Sequence, residues 1–167
     1  MMLMSPRLWM EEPDMSDAEL FAGWLNDPEV VRYSENRHKQ HTPESQRYYW
    51  TFEKPSLYCV IHVQKPEGPI GAISADIDKK NGLANVSIMI GDKSAWGKGF
   101  GFEAWECFCN YLIVEGGIRK LEAGCMSINF AMINICLKYG MRPEGQRTGH
   151  FMAPGPVDLY LYGKIVR

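Results

Sequence analysis

The stretch Ile88-Met89-Ile90-Gly91-Asp92-Lys93-Ser94-Ala95-Trp96-Gly97-Lys98-Gly99-Phe100-Gly101-Phe102-Glu103-Ala104-Trp105 joins an apolar, β-branched strand end to a helix through a glycine-rich loop. Glycines ahead of a helix let the backbone approach a ligand closely, while the first-turn N–H groups and the positive end of the macrodipole face outward. The pattern reads as an anion cradle; the plainer alternative is a loop that uses glycine only to turn. The nucleotide P-loop spacing fails, because Asp92 occupies the first glycine position and Gly99 stands where a hydroxyl for magnesium is required. Gly99, Gly101 and Ala104 do match the dinucleotide fingerprint G-x-G-x-x-A, with Glu122 in range of its acidic residue. However, the turn is too long and no second mononucleotide half follows.

On the amino-terminal side of this stretch lie Tyr58 to Gln64, Ile70 to Ile77 and Ala84 to Ile90, all rich in β-branched and aromatic residues. Lys65-Pro66-Glu67-Gly68-Pro69 and Asn81-Gly82 separate them. This predicts an antiparallel meander, with Asn81-Gly82 as a two-residue hairpin turn. Further upstream, Ser16 with Glu19 reads as a capping box for a helix over 17–26, and Asp27-Pro28 and Thr42-Pro43-Glu44 read as two more helix starts. Arg32 to His41 between them is polar and aperiodic, a loop. On the carboxyl-terminal side, Phe102, Trp105, Phe108, Cys109 and Leu112 mark one helix face, ending at Gly116-Gly117. Lys120 to Met126 reads as a strand, Asn129 to Tyr139 as a helix closed by Gly140, and two strands follow around Ala153-Pro154-Gly155-Pro156. The expected fold is therefore α/β of the α+β kind, a single domain over 1–167. Its sheet is mixed and mostly antiparallel, of about seven strands with about four helices. The fourth and fifth strands (84–90 and 120–126) are parallel across a helical crossover.

The 167 residues suit one core. Lysine and arginine number 18 against 20 aspartates and glutamates, a net charge of -2, which lacks the basic excess that drives nucleic-acid binding. No run reaches the roughly 18 apolar residues of a membrane span, and Pro6 and Arg7 interrupt the apolar start before a signal-peptide core forms. The five cysteines, an odd number without C-x-x-C spacing, are read as reduced thiols. These features predict a cytoplasmic protein with no nucleic-acid or membrane partner, monomeric or homodimeric.

The segment from Ile88 resembles the coenzyme A loop of the GNAT superfamily of N-acetyltransferases, [RQ]-x-x-G-x-[GA], between the fourth strand and the next helix. Trp96 replaces the usual arginine or glutamine, while Gly99 and Gly101 match. The likeness extends to the ribosomal-protein-alanine N-acetyltransferase branch, RimJ/RimL-like. Trp24 to Val30 is similar to its early helix-loop segment. Asn129, Ala131, Lys138 and Gly140 fall on N-x-A-S-x(5)-K-x-G-F, followed by Pro143-Glu144-Gly145, Arg147, Val157-Asp158 and Tyr162-Gly163. The departures are Met132 for serine and Met141 for phenylalanine.

What the resemblance implies is acetyl-CoA-dependent acetylation of a primary amine, on a small molecule or a protein N-terminus, by direct attack in a ternary complex without a metal. Trp96, Gly97, Lys98, Gly99, Phe100, Gly101 and Phe102 would hold the pyrophosphate, with Lys98 or Lys93 adding charge. Ile88, Met89 and Ile90 would pair with pantetheine as an extra strand edge. That edge exists in the family because the fourth and fifth strands splay, and Ser127 to Asn129 would border the gap. An N–H near Met89 or Ile90 would polarise the thioester carbonyl. The amine must lose a proton, and the fourth strand has no carboxylate. Candidate bases are His150, Asp76, Asp158 and Glu35. For the departing thiolate, the family's tyrosine position is Cys136, a poor donor that also reads as a buried apolar residue. Asn129 or a water is the alternative. Glu35 and Arg37, in the charged loop, and Asp76 are candidate acceptor contacts. His38-x-x-His41 lacks a third metal ligand of evident spacing. The rival readings are a catalytically silent CoA-binding module, an acyltransferase for a sugar amine or hydroxyl or for longer acyl chains, and a dinucleotide-binding protein.

Overall fold

The computed structural model describes residues 1–166. Its strands are β1 (Met2–Met4), β2 (Leu8–Glu11), β3 (Leu57–Gln64), β4 (Glu67–Asp78), β5 (Leu83–Ile90), β6 (Lys120–Met126), β7 (Arg142–Met152) and β8 (Pro156–Ile165). The α-helices are α1 (Ala18–Leu25), α2 (Pro43–Tyr48), α3 (Phe100–Val114) and α4 (Phe130–Lys138). One sheet holds all eight strands in the order β1-β2-β3-β4-β5-β6-β8-β7, and every neighbouring pair is antiparallel except β5 with β6. The mixed, mostly antiparallel sheet with one parallel pair and four helices is the expected one. The eighth strand arises because the amino-terminal strand divides around Pro6, which cannot donate to a ladder. The expected fourth and fifth strands are thus β5 and β6.

The sheet is covered on both faces, because alternate strand residues point to opposite sides. On one side α3 and α4 bury Trp105, Phe108, Leu112 and Cys136 against Leu8, Ile61, Ile73 and Leu121. On the other, α1 and the turns after α2 bury Phe21 and Trp50 against Tyr58, Val60 and Ala72. Among the described residues no helix is long and apolar enough to cross a membrane. All five cysteines are free thiols.

Three local expectations are corrected. Asp27-Pro28 opens no helix. The Asp27 carboxylate accepts from Glu29 N at 2.9 Å and also pairs with Lys93 at 2.8 Å, and residues 27–33 make turns. The capping box at Ser16 does not form, since Asp14 accepts from Ser16 N at 2.8 Å and caps a short 3-10 turn ahead of α1. A capping box does form at Thr42 and Ser45. The β4–β5 connection is longer than Asn81-Gly82. Asp78 pairs with Leu83, and its side chain accepts from Lys80 N and Asn81 N, both at 3.0 Å, which stabilises a four-residue turn over 79–82.

Candidate active site

The parallel ladder between β5 and β6 lasts only three residue pairs, Leu83 with Lys120, Ala84 with Leu121 and Asn85 with Glu122. Beyond Asn85 the two strands separate, while β6 stays paired with β8 as far as Met126 with Leu159. The remainder of β5 is held on its other side by β4, and Gly91 N continues that ladder by donating to Ile70 O at 2.8 Å. In an antiparallel ladder the backbone groups of successive residues alternate in direction. Because Gly91 faces β4, Met89 does too, and Ile88 and Ile90 direct their N–H and C=O groups into the gap.

The loop after β5 closes this gap at one end. Asp92 accepts from Ser94 N at 2.9 Å and caps a 3-10 turn over Lys93–Ala95. Gly97 and Gly99 then take φ of +74° and +80°, the left-handed region that glycine occupies without strain. None of the backbone N–H groups from Gly97 to Phe102 has an acceptor within the described residues. Six successive unpaired amides at the start of a fifteen-residue helix make a site for a polyanion. A side chain added at Gly97 would meet open space, so the cradle is empty of protein. Trp96 donates its indole N–H to Ile90 O at 2.8 Å, pinning the loop to the strand end and leaving Ile88 N–H, Ile88 C=O and Ile90 N–H for a ligand.

A second support comes from far away in sequence. Glu103, in the first turn of α3, accepts from Ser5 Oγ at 2.8 Å, from Arg7 N at 2.9 Å and from Arg7 Nε at 2.7 Å. Arg7 also donates to Lys98 O at 3.0 Å and lies 4.5 Å from the Phe100 ring centre. Burial alone would raise the Glu103 pKa, but the bonds from Ser5 and Arg7 outweigh it and hold the carboxyl below the usual range.

On the α1 side the end of β5 is covered by Trp24, against which a side chain at Gly91 would collide. The residues after Trp24 lead into a cavity of about 930 Å³ between the 25–40 segment, Ile128 after β6, and Met152 to Pro154 at the β7–β8 turn. Arg37 ties its walls together, donating to Ser34 O at 2.8 Å, to Glu35 Oε1 at 2.9 Å and to Met152 O at 3.0 Å.

The structure gathers some of the sequence candidates and disperses others. Ile88, Ile90 and 97–102 converge on the gap, and Arg37 lines the cavity. Asn129 caps α4, accepting from Met132 N at 3.2 Å, and its amide nitrogen donates to no group among the described residues. Glu35 is bound to Arg37. His150 is exposed on β7 with its ring edge-on to Phe151. Asp76 pairs with Asn85 at the zipped end of β5, about 17 Å along the strand from Ile90. Asp158 accepts from Gly149 N at 2.7 Å, fixing a bulge in β7. Cys136 is fully buried, and burial pushes its thiol up to about 12. Lys93 is committed to Asp27 and Glu29 at 2.8 and 3.0 Å, away from the phosphate role expected of it; Lys98 remains free. The supporting roles of Arg7, Glu103 and Trp24 at the site are not predicted by the sequence, although Trp24 belongs to the segment that carries the family resemblance. Glu103 was visible only as an acid in the first turn of a helix.

A strand edge exposed beside a helix-start cradle defines a site for an extended, amide-bearing ligand with a phosphate group, the shape of a nucleotide thioester. An acetyltransferase (GNAT) domain model matches residues 7–142, and the chain belongs to that family. GNAT enzymes move acetyl groups from acetyl-CoA to amines, and the residues of the gap and loop fit that co-substrate. Among curated proteins, the uncharacterized N-acetyltransferase p20 of Bacillus licheniformis is 24% identical over 173 residues, spanning 99% of this chain and 96% of its own. Among solved structures, a GNAT-family acetyltransferase from Bacillus anthracis superposes with a TM-score of 0.86 at 19% identity, covering 99% of this chain and 98% of its own. RimL, a ribosomal L7/L12 alpha-N-protein acetyltransferase solved with coenzyme A in disulfide linkage to a cysteine, gives 0.88 at 16% identity, covering 99% and 98%.

Proposed function

We propose that the chain is one acetyltransferase domain that transfers acetyl from acetyl-CoA to the primary amine of a small molecule or a protein N-terminus by direct attack, with both substrates bound. The observation that supports it is the conjunction of six unpaired amides, an open strand edge and an adjoining cavity. Acetyl-CoA supplies an activated thioester carbonyl. The amides of 97–102 bind the diphosphate, and the Ile88 N–H and C=O align the pantetheine amides. The Ile90 N–H, which faces the gap, is the donor available to a developing oxyanion. Asn129 Nδ2 is the free donor for the departing thiolate, since Cys136 sits beneath the surface with a raised pKa.

A free α-amino group has a pKa of about 8, so the acceptor sheds a proton before or during attack. His150, two residues along β7 from the cavity-lining Met152, is the proposed base, acting through water. Glu35 and Asp158 are engaged elsewhere, and Asp76 lies at the far end of β5.

The test is release of free CoA thiol with an amine panel of peptides, polyamines, aminoglycosides and amino sugars. Turnover is expected with at least one amine, and CoA should raise the melting temperature where NAD does not. Binding of CoA without release of thiol would mark a silent module instead. His150→Ala should flatten the acid limb of the pH-rate profile; an unchanged limb removes it from this role.

A further inference from the structure

The cavity beside the gap has a one-signed lining. Arg32, Arg37, His38 and Lys39 face it from the segment after α1, and no aspartate or glutamate lines it. The nearby carboxylates are already committed. Glu35 binds Arg37 at 2.9 Å, Asp27 and Glu29 hold Lys93, and Asp158 holds Gly149 N. Arg37 is largely used as a strut, with its three hydrogen bonds and a side chain only 13% exposed. Arg32 and Lys39 are different. Both are exposed and neither has a carboxylate partner among the described residues, and Arg32 sits over Tyr33 with its guanidinium carbon 4.8 Å from the ring centre. For a protein with net charge -2, unpaired cations gathered in one concavity set a local positive field opposite to that of the whole.

We infer that the acceptor is a small amine that also carries an anionic group, a carboxylate or a phosphate, and that Arg32 and Lys39 hold this group. The inference rests on the acetyl-transfer reading and narrows it. A cavity of about 930 Å³ lies in the size range of small-molecule sites. Its Ile128 wall follows β6, where the gap opens, so an amine can lie toward the thioester while the anion stays with the cations of the 32–39 segment. A guanidinium seated on an aromatic ring offers a planar fork suited to either anion. The same field opposes polyamines and other polycationic acceptors, because like charge in a concave site is strongly unfavourable.

The test is calorimetry on CoA-loaded protein with matched pairs: O-phosphoethanolamine against ethanolamine, and 4-aminobutyrate against butylamine. In at least one pair the member that carries the carboxylate or phosphate should bind about tenfold or more tightly than the partner amine that lacks it, the effect of one charge-assisted hydrogen bond. Whichever pair shows the larger ratio identifies the anion as phosphate or carboxylate. Arg32→Gln with Lys39→Gln should erase that preference while leaving CoA affinity unchanged. Lys80→Gln, in the distant β4–β5 turn, controls for net charge and should leave the preference intact. Equal binding within both pairs, or no binding of any member, overturns the inference. If CoA itself fails to bind, the acetyl-transfer reading falls instead, and the same pairs on free protein still decide the question of the anion.

Discussion

The two ends of β5 are chemically opposite. At the Leu83 end the strand is satisfied on both sides: it pairs with β4 and β6, and Gly82 O accepts from Arg119 N and Lys120 N at 2.9 and 3.2 Å. At the Ile90 end one side is bare, and the loop beyond it leaves six amides unpaired. β6 lies between β5 and β8, and it keeps β8 along seven residue pairs on one edge but β5 along only three on the other. A binding site here is a place where the sheet declines to complete itself, and the hydrogen bonds it leaves unmade are those a ligand can make.

Substitutions that act on only one end sharpen this contrast. The largest effect is expected from Gly99→Glu, which puts an anion and a side chain into a left-handed cradle; like-charge juxtaposition costs several kcal/mol. Acetyl-CoA affinity should fall at least about a hundredfold by calorimetry. Lys80→Glu at the other end should change it less than about twofold, because exposed charges more than about 10 Å apart are largely screened. Next comes Gly91→Ala, whose methyl would run into the Trp24 ring. Chemical denaturation should show a loss of about 1–3 kcal/mol, the usual effect of overpacking.

Glu103→Gln should destabilise the protein by about 1–2 kcal/mol at neutral pH by weakening the Ser5 and Arg7 bonds. The folded-state pKa of Glu103 is depressed, so its contribution is present above the ordinary carboxylate range and lost as pH falls through the folded value. The gap between wild type and Glu103→Gln should therefore narrow as the pH falls below the ordinary carboxylate range, and a constant gap would contradict the assignment. The smallest effect belongs to Trp96→Phe, which removes one hydrogen bond to Ile90 O and should weaken acetyl-CoA binding by about fivefold, near 1 kcal/mol.

The open end was more legible in sequence than what supports it. Gly97 and Gly99 announce themselves because positive φ is nearly reserved for glycine, and the strand–loop–helix order follows from the apolar periods around them. The splay itself came from family resemblance, since a parallel ladder that ends at Asn85 with Glu122 leaves no mark in the local pattern of either strand. The Glu103–Arg7 brace joins residues 96 apart, and the Arg37–Met152 strut joins residues 115 apart; neither leaves a local pattern. The Asp27-Pro28 misreading has the same root. A capping signature was present, but Lys93 draws the Asp27 carboxylate across space and the chain makes only turns.

Trp96 gives the protein a natural optical reporter. The residue is 40% exposed and its indole is bonded to the strand end that a bound thioester would line, whereas Trp50 and Trp105 are enclosed in the two cores. Trp9 and Trp24 are half-buried and also emit, so the difference in emission between wild type and Trp96→Phe isolates the indole that should follow occupancy of the cradle, and ligand screening can proceed without any attached dye.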